Sequence, residues 1–268
     1  MSEAGLVTSK PDQRVRRVFD CVLYNGEIDV LAIRLNELDQ AVDCFVIVES
    51  TLAFDGSPRT ISLNPRDPRI SRFAAKLRHV IVADMPETDD ATAREAWQRN
   101  ATLRGVPDAE ALDLMILSNV GEIPRRAAVS EMLKDDSNQS FGFCLSLYYL
   151  HLNYYRVSGP QTELASCIAA TRQHLDMIAP DKLRLAIQNG DEGARIFQKA
   201  GWHYSGMVAD TKDRPKDVHG RIPDRPGGVW EIQKRPELPN WVTRNRLALS
   251  HLFYPFGTRT RFNHFIRR

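Results

Sequence analysis

The strongest constraint on the fold is a series of short apolar runs, each stopped by polar or turn residues. They occupy 17–25 (RVFDCVLYN), 43–49 (DCFVIVE), 78–84 (RHVIVAD) and 113–118 (DLMILS). Apolar residues at successive positions place apolar side chains on both faces of a strand, which is typical of parallel strands buried between helices. The runs therefore predict a sheet that is covered on both sides.

Helical patterns lie between these runs. The first helix is predicted by apolar residues at helical spacing, namely Ile28, Leu31, Leu35, Leu38 and Val42. A second helix is predicted over 90–104, with Trp97 on its apolar face. Strands that alternate with helices indicate an α/β fold with an open, doubly wound, mostly parallel sheet. Ligands bind such sheets beyond the carboxyl ends of the strands.

Shorter patterns describe the second half of the chain. The Phe- and Tyr-rich stretch at 141–155 predicts the two strands of a hairpin-like pair. Helices are predicted over 161–174 and 240–253, and GWHYSG at 201–206 is predicted to be an aromatic turn segment. Five prolines and three glycines within 213–240 predict a long loop.

Composition and charge argue against several classes of protein. The 36 basic and 34 acidic residues are mixed along the chain, so nucleic acid is not an expected partner. No stretch is long and apolar enough to predict a membrane span. The four cysteines have no CxxC or metal-knuckle spacing, which favours a reducing compartment. The protein is therefore predicted to be cytoplasmic.

Five stretches occur in an order and spacing that resemble glycosyltransferase family 17. They read FDCVLYNGEIDVLAIRLNELDQAVDCFVIVEST, REAWQRNATLRG, LSNVGEIPRR, AGWHYS and LPNWVTRN, and they span roughly 17–250. The resemblance implies the A-type glycosyltransferase fold. It also implies an inverting transferase of the hexosyl-transferring type, with a nucleotide sugar, UDP-linked by expectation, as donor. The acceptor would be a carbohydrate or another small molecule.

The resemblance also suggests a division of the chain. Residues 1–16 are predicted to be a disordered leader, and 17–268 a single domain. Within that domain, 17–126 would form the nucleotide-binding half and 127–268 the acceptor-side half, which contains the loop at 213–240.

The stretch at 118–124, SNVGEIP, departs from the family pattern. The resemblance places two metal-binding aspartates where this chain has Asn119 and Gly121. Mn²⁺ and Mg²⁺ prefer carboxylate oxygens, so a metal ion bound by Asn119 and Glu122 alone would be held weakly. A weakened or absent dependence on divalent metal is therefore predicted, with no certain cofactor. Glu122 has two interpretations: a catalytic carboxylate, or a structural residue that caps the following helix or turn at Pro124 or pairs with Arg125 or Arg126.

Donor-binding residues are predicted at the ends of strands and on the helix at 90–104. The candidates are Asn25, Gly26, Glu27, Glu49, Arg99, Asn100, Ser118, Asn119 and Arg125. Arg125 and Arg126 would replace the metal if they reach the diphosphate, because a guanidinium matches phosphate geometry. The alternative for this pair is a solvated surface.

The acceptor is predicted to bind near GWHYS. Aromatic rings stack on sugar faces, so Trp202 and Tyr204 are candidate acceptor-binding residues, and His203 between them is a candidate general base. A structural histidine inside an aromatic cluster is the alternative. Other candidates for the base lie in or near the long loop, namely Asp210, Asp213, His219 and Glu231.

Three functions remain open from the sequence. The first is an active transferase that needs little or no metal. The second is a non-catalytic relative that binds a sugar, a nucleotide or a protein through the same cleft. The third is a different group-transfer enzyme of a biosynthetic pathway.

Overall fold

The structure is a computed structural model that describes residues 16–137, 139–158, 165–207 and 229–254, without the side chains of Val229 and Trp230. Its strands are β1 Val18–Leu23, β2 Cys44–Ser50, β3 Leu77–Val82, β4 Leu114–Asn119, β5 Glu122–Pro124, β6 Ser140–Cys144, β7 Ser146–Tyr149, β8 Tyr154–Ser158, β9 Ala165–Thr171, β10 Arg195–Phe197, β11 Gly201–Ser205 and β12 Val229–Ile232. Its α-helices are α1 Ile28–Leu38, α2 Ala91–Asn100, α3 Arg126–Met132, α4 Arg172–Leu175, α5 Pro180–Asn189 and α6 Asn240–Arg244. Short 3₁₀ helices cover Ser71–Lys76, Ala101–Gly105 and Ser250–Leu252.

The strands form two sheets. The larger has seven strands in the order β10-β6-β9-β4-β1-β2-β3, and the smaller has five in the order β12-β8-β7-β11-β5. Within the larger sheet, β1 runs parallel to β2 and β4, and β2 runs parallel to β3. Only β9 runs against its neighbours in that sheet, β4 and β6. The predicted α/β class with a large, mostly parallel sheet is confirmed.

Helices cover both faces of the large sheet, as the apolar runs predicted. One face packs against α1 through Val22, Phe45 and Leu35, and the other packs against α5 through Met115 and Leu183. A third apolar cluster joins α1 and α6 to the small sheet. All four cysteines are buried and free of disulfides, as expected for small apolar residues.

Local sequence signals explain where the helices begin and end. The side chain of Asp90 caps α2 by accepting a hydrogen bond from the Thr92 amide at 2.8 Å. Pro180 occupies the first turn of α5, where its missing N–H is not needed. Gly190 ends that helix in the left-handed conformation, with φ of 78°.

Several expectations for the second half of the chain are wrong. Within 141–155, β7 and the start of β8 form the predicted hairpin-like antiparallel pair, but β6 at the start of the stretch pairs with β9 and β10 in the other sheet. Residues 165–171 of the expected helix at 161–174 form strand β9 instead, and GWHYS is strand β11 rather than a turn. The expected helix at 240–253 is broken into α6 and a 3₁₀ turn.

The predicted face of the second helix is also wrong. Trp97 is 41% exposed, whereas Arg94, Gln98 and Arg99 are the buried residues of α2. Some of their polar atoms find partners near the sheet; Gln98, for example, donates to the Val48 carbonyl at 2.9 Å. This helix therefore presents a polar face, not an apolar one, to the ends of the strands.

The predicted division of the chain cuts across the sheets. Strands β6, β9 and β10 of the acceptor-side half complete the sheet that the other half begins, while β5 lies in the smaller sheet. Arg16, the last residue of the predicted leader, donates to the Leu112 carbonyl at 3.0 Å. Residues 1–15 and 213–228 lie outside the described residues, and the rest of the predicted loop includes β12.

The contact between the 3₁₀ helix Ala101–Gly105 and the sheet gives a test of this packing. A Cβ at Gly105 would lie 2.2 Å from Val46 Cγ1, which is too close for two non-bonded carbon atoms. We expect Gly105→Ala to lower the free energy of unfolding by about 1–3 kcal/mol through overpacking. Urea denaturation measures this change. Gly193→Ala is the control, because a Cβ there meets nothing within 4 Å, and equal stability of the two variants would contradict the packing.

Candidate functional site

The candidate site lies where the chain passes from the large sheet to the small one. Strand β4 ends at Asn119 and strand β5 begins at Glu122, so only two residues separate the sheets. The carbonyl of Gly121 accepts a hydrogen bond from the Tyr204 amide at 2.8 Å, which joins this crossing to β11. The crossing is thus at the carboxyl end of a central parallel strand, where α/β sheets bind ligands.

A buried arginine determines the path of the crossing. Arg34 of α1 and Asp20 of β1 are both fully buried, and the guanidinium donates to the two Asp20 oxygens at 2.7 and 2.6 Å. The same guanidinium donates to Ser118 Oγ at 2.8 Å, to the Glu122 carbonyl at 2.7 Å and to the Asn119 carbonyl at 3.3 Å. Ser118 is therefore a structural partner of Arg34 in this geometry.

Glu122 is a buried carboxylate with three hydrogen bonds. Arg184 of α5 donates to both carboxylate oxygens, at 2.7 and 2.8 Å, and the Asn119 amide donates to Oε2 at 2.7 Å. Burial opposes ionisation, but the charge and hydrogen bonds of Arg184 outweigh it and lower the pKa of Glu122 to about 2. Glu122 is thus ionised at neutral pH, and its oxygens are already engaged.

Gly121 is needed because β11 comes very close. A Cβ at position 121 would lie 2.1 Å from the Tyr204 carbonyl oxygen, and a Cβ at Gly201 would lie 2.1 Å from the Ile123 carbonyl oxygen. Both positions therefore exclude any side chain unless the two backbones move apart. The backbone of β11 occupies the space into which a second metal-binding aspartate would project.

Arg99 of α2 reaches the same crossing. Its Nη2 donates to Asn119 Oδ1 at 3.2 Å and pairs with Glu95. The residue is 4% exposed, and its Nη1 is buried with no hydrogen-bond partner among the described residues. Burial, followed by the like charge of Arg184, lowers the pKa of Arg99. Two guanidinium groups thus approach the crossing from two different helices.

His203 lies on the other side of the crossing. It is the register partner of Glu122 in the antiparallel β11–β5 pair. Burial lowers the pKa of His203, and the Arg184 charge acts in the same direction against the opposing effect of Glu122. The imidazole is therefore neutral at pH 7 and able to accept a proton.

A divalent cation does not fit this set of side chains. The carboxylate of Glu122 is paired with Arg184, and the Asn119 amide oxygen is held by Arg99. Two guanidinium charges would repel a metal ion at this place, and position 121 offers no ligand. Among the described residues, no group of three His, Cys, Asp or Glu side chains is arranged to hold a metal ion.

The predicted residues at the end of β1 lie beside the crossing. Leu23, the last residue of β1, is the register partner of Asn119. Asn25 and Gly26 are exposed, and Gly26 has φ of 99°, a conformation that favours glycine. The Glu27 carboxylate accepts a hydrogen bond from the Asn25 amide at 2.8 Å, and burial raises its pKa. This turn is open to a ligand.

Two other predicted donor-binding residues have structural partners. Glu49 is fully buried and accepts hydrogen bonds from Ser62, Leu63 and His79, which oppose the effect of burial and lower its pKa to about 2. The Asn100 side-chain oxygen accepts from the Asp181 amide at 3.1 Å and so fixes the start of α5. Both side chains therefore stabilise the segments around the edge of the sheet.

Arg125 and the two aromatic residues of GWHYS belong to the core beneath the small sheet. Trp202 is 2% exposed and Tyr204 is 4% exposed, and both rings lie in the apolar cluster with α6. The Arg125 guanidinium stacks on the Trp202 ring at 4.3 Å and pairs with Glu237 at 2.8 Å. In this geometry, the ring faces of Trp202 and Tyr204 are not available to stack on a sugar.

The remaining predicted residues do not reach the crossing. Arg126 donates from its amide to Glu37 at 3.0 Å and pairs with Gln40. Among the other candidates for the base, Glu231 is exposed on β12, whereas Asp210, Asp213 and His219 lie outside the described residues.

A cavity of about 380 Å³ lies at the same edge of the large sheet. It is formed by the segments that follow β2 and β3 and by the first half of α2, including Leu52, Met85 and Arg94. Arg94 and Arg99 are five residues apart on one helix, which corresponds to roughly 7.5 Å along its axis. The cavity and the crossing thus lie along the same helix, with Arg94 and Arg99 projecting about 140° apart around its axis.

Two important residues were missed by the sequence analysis. Arg34 was hidden within an apolar helix, although Asp20, a charge inside an apolar strand, was a signal that a buried partner exists. Arg184 lies in α5, which no pattern had predicted. Its role arises only from a contact with Glu122, 62 residues away.

The family of the chain follows from comparison with known proteins. The model of glycosyltransferase family 17 matches residues 5–212, well over half of the chain, and the chain belongs to that family.

Individual relatives match a smaller part. The beta-1,4-mannosyl-glycoprotein 4-beta-N-acetylglucosaminyltransferase of Homo sapiens is 29% identical over 151 residues, and that of Mus musculus is 28% identical over 151 residues. Each match covers 52% of this chain and only 28% of the relative.

Solved structures give more distant likenesses. A mycobacterial protein is 16% identical, with a TM-score of 0.39, over 90% of this chain and 76% of its own. Glucosyl-3-phosphoglycerate synthase from Mycobacterium tuberculosis, solved with Mn²⁺, UDP-glucose and glycerol 3-phosphate, is 13% identical, with a TM-score of 0.37, over 90% of this chain and 82% of its own. The family assignment rests on the family match alone.

The helices of the described residues are also informative about membranes. None of them combines the length and the apolar character that a membrane crossing requires.

The ion pair between Glu122 and Arg184 predicts a dependence of stability on pH. Glu122→Gln leaves Arg184 without its buried partner, so we expect the free energy of unfolding at pH 7 to fall by about 3–5 kcal/mol. The pKa of Glu122 is lowered from 4.5 to about 2. The extra free energy of unfolding of wild type over Glu122→Gln is therefore complete above pH 4.5 and is lost as the pH falls toward 2. Urea denaturation at several pH values measures both effects.

The matched control is Glu131→Gln, whose carboxylate is 57% exposed and pairs with Arg195 at the surface. Its effect should remain below about 1 kcal/mol at every pH. A difference between wild type and Glu122→Gln that stays constant from pH 6 to pH 2 would refute the ionised state of Glu122.

Proposed function

We propose that the protein is an inverting glycosyltransferase that uses a nucleotide sugar, with UDP as the favoured nucleotide, and needs no divalent metal. The observation that carries the proposal is the cluster at the β4–β5 crossing, in a chain of glycosyltransferase family 17. There a neutral histidine and two arginines meet at the carboxyl end of a central parallel strand.

The chemistry of the transfer explains why this combination is suitable. An acceptor hydroxyl gives its proton to the His203 imidazole and attacks the anomeric carbon of the donor sugar. The bond between that carbon and the phosphate oxygen breaks, and the nucleoside diphosphate leaves with the bonding electrons. A nearby positive charge stabilises the departing diphosphate, and a base lowers the barrier to attack.

The nucleoside part of the donor would occupy the cavity beside α2. Its walls combine apolar side chains such as Leu52 and Met85 with the carboxylates of Glu87 and Asp89. Apolar groups suit the face of a base, and carboxylates accept hydrogen bonds from ribose hydroxyls. The exposed turn at Asn25 and Gly26 borders the same edge of the sheet.

A turnover assay tests the proposal. The purified chain is incubated with a panel of UDP-hexoses and UDP-N-acetylhexosamines, with sugar acceptors, and in the presence of either EDTA or Mn²⁺. We expect release of UDP at the same rate in EDTA and in Mn²⁺. Loss of turnover in EDTA would contradict the metal-free reaction, and UDP binding without turnover of any donor would indicate a non-catalytic binding protein.

The role of His203 has its own test. We expect His203→Gln to lower kcat by roughly 10²–10⁴-fold while UDP affinity stays unchanged, because only the proton acceptor is lost. Because the pKa of His203 is lowered from 6.5, the imidazole stays neutral as the pH falls to that value, and the wild-type rate should decline only below it.

The matched control is His251→Gln, since His251 is 42% exposed and pairs with Asp29 at the surface. Wild-type kinetics of His203→Gln would show that another group is the base.

A further inference from the structure

Each arginine at the crossing has one acidic partner, but the two partners differ in burial. Arg99 and Arg184 approach from α2 and α5, with side chains only 4% and 14% exposed, and Glu122 is the one fully buried carboxylate between them. The other acidic partner, Glu95, is 38% exposed and lies toward solvent. Arg184 therefore has a buried acidic partner, whereas the acidic partner of Arg99 is partly exposed.

Arg99 is the less satisfied of the two. Its Nη2 contacts Glu95 and Asn119, whereas its buried Nη1 has no partner among the described residues. A buried donor on a charged group is costly to leave unpaired. Burial, and after it the positive charge of Arg184, lowers the pKa of Arg99. An anion that binds between the two arginines would relieve both penalties.

The geometry and chemistry favour a diphosphate over a single carboxylate. Each guanidinium is a planar fork that matches the oxygens of a phosphate group. Arg184 already directs Nη1 and Nη2 at Glu122, so the unused donor is Arg99 Nη1, and Arg184 adds the second positive charge that a diphosphate requires. The cavity for a nucleoside begins at Arg94, roughly 7.5 Å along the same helix, a spacing compatible with one nucleotide ligand.

We propose that Arg99 and Arg184 form the binding site for the diphosphate of the donor and do the work that a divalent cation would otherwise do. This inference rests on the proposed function and identifies the residues that make its metal-free form possible. Arg184 also holds Glu122 in place, so it contributes its positive charge to the ligand and positions the crossing. Gly121 keeps a competing carboxylate away from the two arginines, because β11 occupies the space that such a side chain would need.

Calorimetry with three probes tests the site. Inorganic pyrophosphate, UDP and uridine are titrated, all in EDTA, into the wild type and into Arg99→Met. Arg99 is preferred over Arg184 as the target, because its replacement leaves no fully buried carboxylate unpaired. We expect wild type to bind UDP at least roughly tenfold more tightly than uridine, and Arg99→Met to lose most of that difference. Uridine affinity should stay the same.

Two control variants make the result specific. Arg104→Met removes an arginine that is 43% exposed and pairs with Asp84, just beyond α2, and should bind all three probes as wild type does. Arg99→Lys keeps the charge but loses the planar fork, so its affinity for pyrophosphate should fall between those of wild type and Arg99→Met. Urea denaturation of each variant shows whether it is folded.

The outcomes separate this inference from the proposed function. Equal affinity of wild type for UDP and uridine in EDTA would overturn the site, as would unchanged pyrophosphate binding by a folded Arg99→Met. Arg99-dependent pyrophosphate binding without turnover of any sugar nucleotide would support the site and refute the transferase. Turnover that requires Mn²⁺ and is unaffected by Arg99→Met would support a transferase and refute the site.

Discussion

The buried ion pair between Arg34 and Asp20 is the interaction on which the rest of the site depends. Both side chains are fully buried, so removal of either one would leave an uncompensated charge in the core. The pair is also a connector, because one guanidinium joins β1, α1, the end of β4 and the carbonyl of Glu122. Contacts of a fully buried side chain thus determine the position of the crossing.

From this anchor, a polar layer extends along the edge of the large sheet. Arg34 donates to the backbone carbonyl of Glu122, and the Glu122 carboxylate accepts hydrogen bonds from Arg184 and from the backbone N–H of Asn119. The side-chain oxygen of Asn119 in turn accepts a hydrogen bond from Arg99. Each member has a partner that fixes its orientation, which is the condition for preorganised electrostatic stabilisation of charge that develops in a reaction. Arg99 keeps a buried donor, Nη1, that has no partner among the described residues.

The sequence predicted what local pattern determines. The parallel strands and α1 were predicted because continuous apolar runs and helical spacing are properties of neighbouring residues. Strand β9 was missed because its position depends on pairing with β4 and β6, which are distant in sequence. Trp97 was assigned to the core because apolar character was assumed to face inward, but α2 buries arginines at a polar edge. The contact between Arg184 and Glu122 had no local signal at all. Family resemblance located the crossing, and only the structure revealed its charges.

The close approach of two backbones has a consequence for how such a loop can change over time. A Cβ at Gly121 would meet the Tyr204 carbonyl, and a Cβ at Gly201 would meet the Ile123 carbonyl. Acquisition of a carboxylate at position 121 therefore requires β11 to move. A substitution at position 121 without a compensating change in β11 would be strained and less stable, so a mutational barrier separates this loop from one with a side chain at that position. The loop and β11 should accordingly change together or not at all.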